Sequence, residues 1–263
     1  MCGGPIESIV SDVSDGSYAS LGMYPFDSIV TAWEQLWAVV HGRAPWTPAH
    51  LSWTNDVHRD WREPLCVVSH ACGWPVAAQL VGQVEVVGAF SLTIPGSRGH
   101  EYRSVLIGRD PDVLGRLGEP DLVVAANSQD SLSGWVSLLA GTGLASWPGP
   151  IVWTGAHIHS LKALAVGEAD LACIDGLSLV HLTNTRPELL AGLHEVGLGP
   201  WIPSPAIVVR PDRSQADRQQ LAEGFRLAVS DQAIGGPLHF DGFVSLDNAA
   251  YEPTLHLIAD RGR

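Results

Sequence analysis

Residues 151–182, which read IVWTGAHIHSLKALAVGEADLACIDGLSLVHL, decide the fold. An apolar run leads through a short Gly-containing loop into a segment with helical spacing of apolar residues, and a second apolar run follows. Residues 121–141, DLVVAANSQDSLSGWVSLLAG, have the same order of buried strand, polar loop and helix. Strands that alternate with helices predict an α/β protein with mostly parallel sheets flanked by helices.

The same pattern extends outward in both directions. Residues 18–26 predict a strand that runs into a Gly/Pro loop, and residues 28–42 predict an amphipathic helix. Two β-rich connections, at 93–101 and 200–206, flank the central α/β run. We therefore expect a two-lobed protein with a ligand cleft between the lobes. The first lobe would comprise residues 17–94 plus 206–263, the second residues 100–200, and residues 1–16 would form a polar leader.

Composition excludes some classes of function. The 263 residues carry a formal net charge of −13 and no block of Lys or Arg, which argues against nucleic-acid binding. An anionic ligand would have to be held by local backbone N–H groups, hydroxyls and helix ends. The N-terminus lacks the pattern of a secretory signal and no run is apolar enough to span a bilayer, so the expected location is the cytoplasm, without membrane insertion.

Cysteine and histidine spacing predicts neither a cofactor nor a metal site. Cys66 and Cys173 lie in apolar runs and are expected to be core thiols, whereas Cys72 lies in a loop as a ligand contact or a turn residue. The pair His157 and His159 lacks the spacing of a known zinc site.

The segment NSQDSLSGW, residues 127–135, crowds hydroxyls between a buried strand and a helix. The first backbone N–H groups of a helix are unpaired and its dipole favours a negative partner, so Ser131 and Ser133 could complete an oxyanion cradle. The alternative is an ordinary helix cap, in which a side chain such as Asp130 or Ser131 only accepts backbone N–H groups.

His157 and Asp175 each follow a predicted strand. His157 could donate to an oxyanion, and protonation near pH 6.5 would strengthen that bond; alternatively it is a surface or capping residue. Asp175 could receive an ammonium or hydroxyl group, or simply occupy a turn. A serine hydrolase formed by Ser131, His157 and Asp175 is disfavoured, because the chain lacks a GxSxG segment and the order of the three differs from that of α/β-hydrolases.

Four segments together resemble the phosphate/phosphonate-binding family of ABC-transporter substrate-binding proteins, which have the type II periplasmic binding protein fold. The resemblance runs from about residue 19 to 210. Its landmarks are LGMYPFDSI, YRSVLIGR, ANSQDSLSG and, as the most specific, WTGAHIHSLKALAVGEADLACID.

The resemblance implies roles for the candidate residues. Ser131, Ser133 and His157 would hold the oxyanion, and Asp175 would face the other end of the ligand. Leu132 stands where the family's phosphonate binders usually have Thr, so it would offer only its backbone N–H.

Two tyrosines complete the implied site, since Tyr24 and Tyr102 would contact the ligand from the cleft walls. The implied function is solute binding without chemistry, with a small anionic ligand and an ABC transporter permease as partners. Two alternatives remain open: a regulatory module, and a cytoplasmic enzyme of the same fold that resembles chorismate dehydratase. Such an enzyme would need His157, Asp175 or Cys72 as its acid or base.

Overall fold

The computed structural model describes residues 16–54 and 56–259. Residues 1–15 of the predicted leader therefore lie outside the described residues. The strands are β1 (Tyr18–Ser20), β2 (Cys66–Ala71), β3 (Glu85–Leu92), β4 (Ser97–Arg98), β5 (Glu101–Gly108), β6 (Val124–Ala126), β7 (Ile151–Trp153), β8 (Leu171–Ile174), β9 (His194–Pro203), β10 (Ala206–Val209) and β11 (Phe240–Val244).

Helices connect most of these strands. The α-helices are α1 (Val30–Arg43), α2 (Val57–Asp60), α3 (Gly73–Ala78), α4 (Ser137–Thr142), α5 (His157–Val166), α6 (Gly176–Thr185), α7 (Gln215–Ser230), α8 (Gln232–Leu238) and α9 (His256–Ala259). A π-helical turn at Leu132–Val136 leads into α4. Short 3-10 segments are formed by Asp27–Ile29, Val113–Arg116, Pro187–Leu190 and Asn248–Leu255.

The strands form two separate sheets. The first has the order β1-β2-β10-β3-β11, and the second has the order β4-β5-β8-β6-β7 with β9 paired to β5. The α/β class and the two helix-flanked sheets are as the sequence predicts.

The prediction of mostly parallel sheets is wrong in its strand pairing. Among the named strands of the described residues, the parallel pairs are β1 with β2, β6 with β7 and β6 with β8, and helices lie between the strands of each pair in the chain. The strands β5, β9, β10 and β11 pair antiparallel with their neighbours. Several of these enter a sheet from the other sheet or from the C-terminal helices, outside a strand–helix–strand unit, so strand and helix alternation does not set their direction.

The chain passes between the sheets at 93–96 and again at 204–205. Strands of the first sheet come from residues 18–92 and 206–244, and those of the second from residues 97–203. This distribution agrees with the expected lobes, whose residue boundaries remain a prediction.

Each sheet is covered by apolar side chains. In the first, Phe90 stacks on Phe240 with ring centroids 4.2 Å apart, and Trp33 of α1 meets both rings edge-on. Cys66 and Cys173 are buried free thiols, as predicted, and burial raises the pKa of both.

Candidate functional site

The loops that follow five strands meet where the two sheets face each other. Strands β6, β7 and β8 of the second sheet lead into the π-helical turn, α5 and α6, while β1 and β2 of the first lead toward Tyr24 and Cys72. The carboxyl ends of strands in an α/β sheet are the usual place for a ligand site. Hydrogen bonds link the residues of the first sheet's side to those of the second at this place, as described below.

Ser131 caps the π-helical turn. Its Oγ accepts the Gly134 N–H at 3.0 Å, so the capping interpretation is correct for this residue. Its own hydroxyl hydrogen stays available to a second acceptor. Gly134 is needed for space, because a Cβ there would lie 1.9 Å from Asn127 Oδ1. The turn therefore brings its backbone unusually close to the loop that follows β6.

Ser133 is joined to His157 instead of to its own helix. The Ser133 Oγ lies 3.0 Å from His157 Nε2, and the Asp175 N–H donates to His157 Nδ1 at 3.4 Å. In a neutral ring that accepts at Nδ1, the proton sits on Nε2. His157 then donates to Ser133, and the Ser133 hydroxyl is left to donate to a ligand.

With the proton on Nε2, the direction of donation is the reverse of what a serine nucleophile requires. In a hydrolase the histidine Nε2 accepts the serine proton and a carboxylate orients the ring from Nδ1. Here a backbone N–H, not the Asp175 carboxylate, faces Nδ1. The pair is built as a chain of donors suited to an anion.

The expectation that His157 titrates near pH 6.5 needs correction. Burial lowers the pKa of His157, and the nearby Asp175 charge and the Cys173 backbone only partly offset this effect. The ring is therefore neutral at pH 7, and its value to an anion lies in the N–H on Nε2.

We expect ¹⁵N NMR of the imidazole to show a proton on Nε2, none on Nδ1, and a midpoint below pH 6.5. The His159 ring, which is exposed on the same helix, provides an internal reference. A proton on Nδ1 at pH 7.5, or a midpoint above that of a free imidazole, would rule out the donor chain.

Asp175 receives two tyrosine hydroxyls. Tyr24 and Tyr102 donate to its Oδ2 at 3.2 and 2.5 Å, and the Ser178 N–H donates to Oδ1 at 2.8 Å, which caps α6. All three side chains of this cluster are 2% exposed. Burial, with the Asp175 charge added, raises the pKa of both tyrosines, so they stay protonated donors.

Leu132 uses its backbone N–H for a hydrogen bond, and its side chain packs beside Gly73. The Leu132 N–H donates to Cys72 Sγ at 3.3 Å, which joins the second sheet's side to the first. A Cβ on Gly73 would lie 2.8 Å from Leu132 Cδ2 and from Tyr251 Cδ1, so the leucine side chain packs closely in this corner. Burial raises the pKa of the Cys72 thiol to about 11.

The structure thus brings together all seven residues that the sequence singled out, and their roles in binding stay a prediction. Sequence reasoning missed His70, whose two ring nitrogens are buried without a hydrogen-bond partner beside the Tyr24 ring. Its position at the end of a buried strand was the available signal. Burial lowers its pKa to about 4, which keeps the ring neutral.

The family follows from a comparison of sequences. A family described as "ABC transporter, phosphonate, periplasmic substrate-binding protein" matches residues 74–251, which is most of the chain and includes the π-helical turn, α5 and α6. The chain belongs to this family. Its role is therefore that of a solute-binding protein, and the elimination-enzyme alternative is not favoured. A search of curated protein sequences gives no significant match.

Solved structures share the fold. A binding protein component of an ABC phosphonate transporter from Pseudomonas aeruginosa is 16% identical, with a TM-score of 0.73 over 93% of this chain and 85% of that one. PhnD1 from Prochlorococcus marinus, in complex with methylphosphonate, is 10% identical, with a TM-score of 0.68 over 92% and 96%. A Xanthomonas citri protein bound to chloride ion is 14% identical, with a TM-score of 0.65 over 93% and 96%.

Members of the family are described as periplasmic, which differs from the cytoplasmic location expected from the N-terminal sequence. Within residues 16–54 and 56–259, none of the helices is long and apolar enough to cross a membrane.

Proposed function

We propose that this chain binds a small ligand bearing a phosphonate, phosphate or similar oxyanion group, as the binding component of an ABC transporter, and performs no chemistry on it. The observation that carries the proposal is the donor chain from His157 through Ser133 at the start of a helix. Together with the free hydroxyl hydrogen of Ser131, it offers neutral donors that bind an anion without net positive charge. This suits a protein with a net charge of −13.

The two ends of the ligand would meet different chemistry. The oxyanion would sit against Ser131 and Ser133, with His157 binding it through the Ser133 hydroxyl, and a cationic or hydroxyl-bearing end would face Asp175. Because Tyr24 and Tyr102 already donate to Asp175 Oδ2, a ligand ammonium would join an existing network of donors. The Leu132 N–H would have to exchange its sulfur acceptor for a ligand oxygen.

The absence of chemistry is part of this proposal. Each candidate acid or base of the enzyme alternative is engaged: Asp175 accepts three hydrogen bonds, His157 bridges Ser133 and the Asp175 backbone, and Cys72 accepts the Leu132 N–H. A thiol whose pKa is raised by burial is also a poor base at neutral pH.

The partner and the location belong to the proposal as well. Family membership supports an ABC permease as the partner that receives the ligand. Members of the family are described as periplasmic, and fractionation of cells that produce the protein tests this location.

The proposal is tested by mass spectrometry of co-purifying small molecules, followed by calorimetry against phosphate, methylphosphonate, sulfate and succinate. We expect at least one of these anions to bind and to be recovered unchanged after incubation. Binding of a bulky apolar molecule alone, or conversion of the bound anion into a product, would contradict the proposal.

A further inference from the structure

Two histidines face each other across the boundary between the sheets. His181 lies on α6, which packs on β5 of the second sheet. His239 lies between α8 and β11 and therefore belongs to the first sheet's side. Their ring centroids are 5.2 Å apart, and the ring of Phe26 lies 5.2 Å from that of His181 on the first sheet's side. The pair is a direct contact between the two halves of the molecule.

Both residues carry an unfavourable feature. His181 is 4% exposed, and its Nε2 is buried without a hydrogen-bond partner. His239 has a φ of 58°, and among the described residues it is the only non-glycine residue in the left-handed region. A buried unpaired nitrogen and a left-handed histidine each cost free energy. The left-handed backbone of His239 is the C-cap that ends α8, so the feature that calls for a functional explanation is the unpaired His181 nitrogen.

The backbone of His239 is also tied to the crossover between the sheets. Its carbonyl accepts the Thr93 N–H at 2.9 Å, directly after β3 and before the chain enters the second sheet. On the other side, α6 begins at the Asp175 cap, whose carboxylate accepts the Tyr24 hydroxyl across the boundary. The pair thus lies between a connection that would bend on opening and the helix that carries part of the ligand site.

We propose that the contact between His181 and His239 is a pH-sensitive latch, which holds the lobes closed while both rings are neutral and releases them when the rings are protonated. Two imidazolium rings at this separation repel each other, and a buried charge is poorly solvated. Opening exposes both rings to water and separates them. Protons therefore bind preferentially to the open form.

The electrostatics give the direction of the effect. Burial, with the His239 charge added, lowers the pKa of His181 to about 4, and the Asp175 charge partly opposes this shift. Burial also lowers the pKa of His239. In the open form the rings would return toward the ordinary value of about 6.5. The stabilisation of the closed form is therefore fully present above pH 6.5 and is lost as the pH falls. At pH 5, protonation of His181 alone lowers the ratio of closed to open form by up to about thirtyfold relative to its value above pH 6.5.

The experiment uses small-angle X-ray scattering on the ligand-free full chain at pH 7.5 and 5.0, with circular dichroism to verify the native fold. We expect the radius of gyration of the wild type to increase at pH 5.0. His181→Phe keeps an aromatic ring against Phe26, and His239→Asn tolerates the left-handed backbone; neither new side chain titrates in this range. His181→Phe should stay compact at both pH values, whereas His239→Asn keeps the buried His181 and should still expand at pH 5.0, but less than the wild type.

A matched control is His159→Asn, which removes an exposed histidine of α5 and should leave the pH response of the wild type unchanged. His70 and His157 are retained in both latch variants, so a response that depends on those rings would survive in them. The latch is wrong if the wild type has the same radius at both pH values, if His181→Phe expands as the wild type does, or if acid only unfolds the wild type. None of these outcomes depends on which ligand the chain binds.

Discussion

Replacing Gly134 by Ala is expected to weaken oxyanion binding strongly. The added Cβ would lie 1.9 Å from Asn127 Oδ1 and 3.0 Å from Ser131 Oγ, so the turn or its neighbours must move. Movement of this turn displaces Ser131 and Ser133 together. Each hydrogen bond to a charged group contributes about 1.5–3 kcal/mol, so the loss of two should weaken binding by about a hundredfold or more. Calorimetry with methylphosphonate measures the change.

The matched control for this variant is Gly42→Ala. Gly42 is exposed on α1, and no heavy atom lies within 4 Å of its added Cβ. Since Ala is the better helix former, this change should stabilise the protein by about 0.5–1 kcal/mol and leave the affinity unchanged. A folded Gly134→Ala protein whose affinity stays within about threefold of the wild type would show that the turn does not hold the anion.

Replacing Ser133 or His157 by Ala is expected to weaken binding by about tenfold or more without unfolding the protein. Both act in one donor chain, because the His157 N–H fixes the orientation of the Ser133 hydroxyl. The double variant should therefore lose little more affinity than either single variant. Calorimetric titrations of the three variants, with melting curves beside them, measure both properties.

Two neighbours provide controls for these variants. His159→Ala removes an exposed ring of the same helix and should leave the affinity unchanged. Ser131→Ala removes the cap of the turn and should lower the free energy of unfolding by about 1 kcal/mol. If Ser133→Ala destabilised the protein to the same extent while leaving affinity intact, Ser133 would be a structural residue only.

The strand–helix units were predictable because their signal is local. The helix at 28–42 and the strand–loop–helix run at 121–141 depend on apolar periodicity within one segment, and the structure places α1 and the β6-to-α4 unit there. The antiparallel insertion of β10 between β2 and β3 depends on where the chain returns after crossing to the other sheet. Nothing in residues 206–209 themselves encodes that direction.

The site shows the same division between local and distant signals. Ser131 and Ser133 were both predicted as anion donors, but only the geometry of the π-helical turn separates the capping serine from the one that meets His157. The contact between Leu132 and Cys72 joins residues 60 positions apart in the chain, so no local pattern predicts it. His181 and His239 were not singled out, because an isolated histidine in a sequence carries no signal of its partner.

The most direct measurement is a crystal structure of the protein grown with methylphosphonate. The account predicts a phosphonate oxygen within about 2.6–3.0 Å of Ser133 Oγ, with His157 Nε2 still donating to that serine. A phosphonate bound away from this turn, with the hydrogen bonds of Ser133 and His157 unchanged, would contradict it.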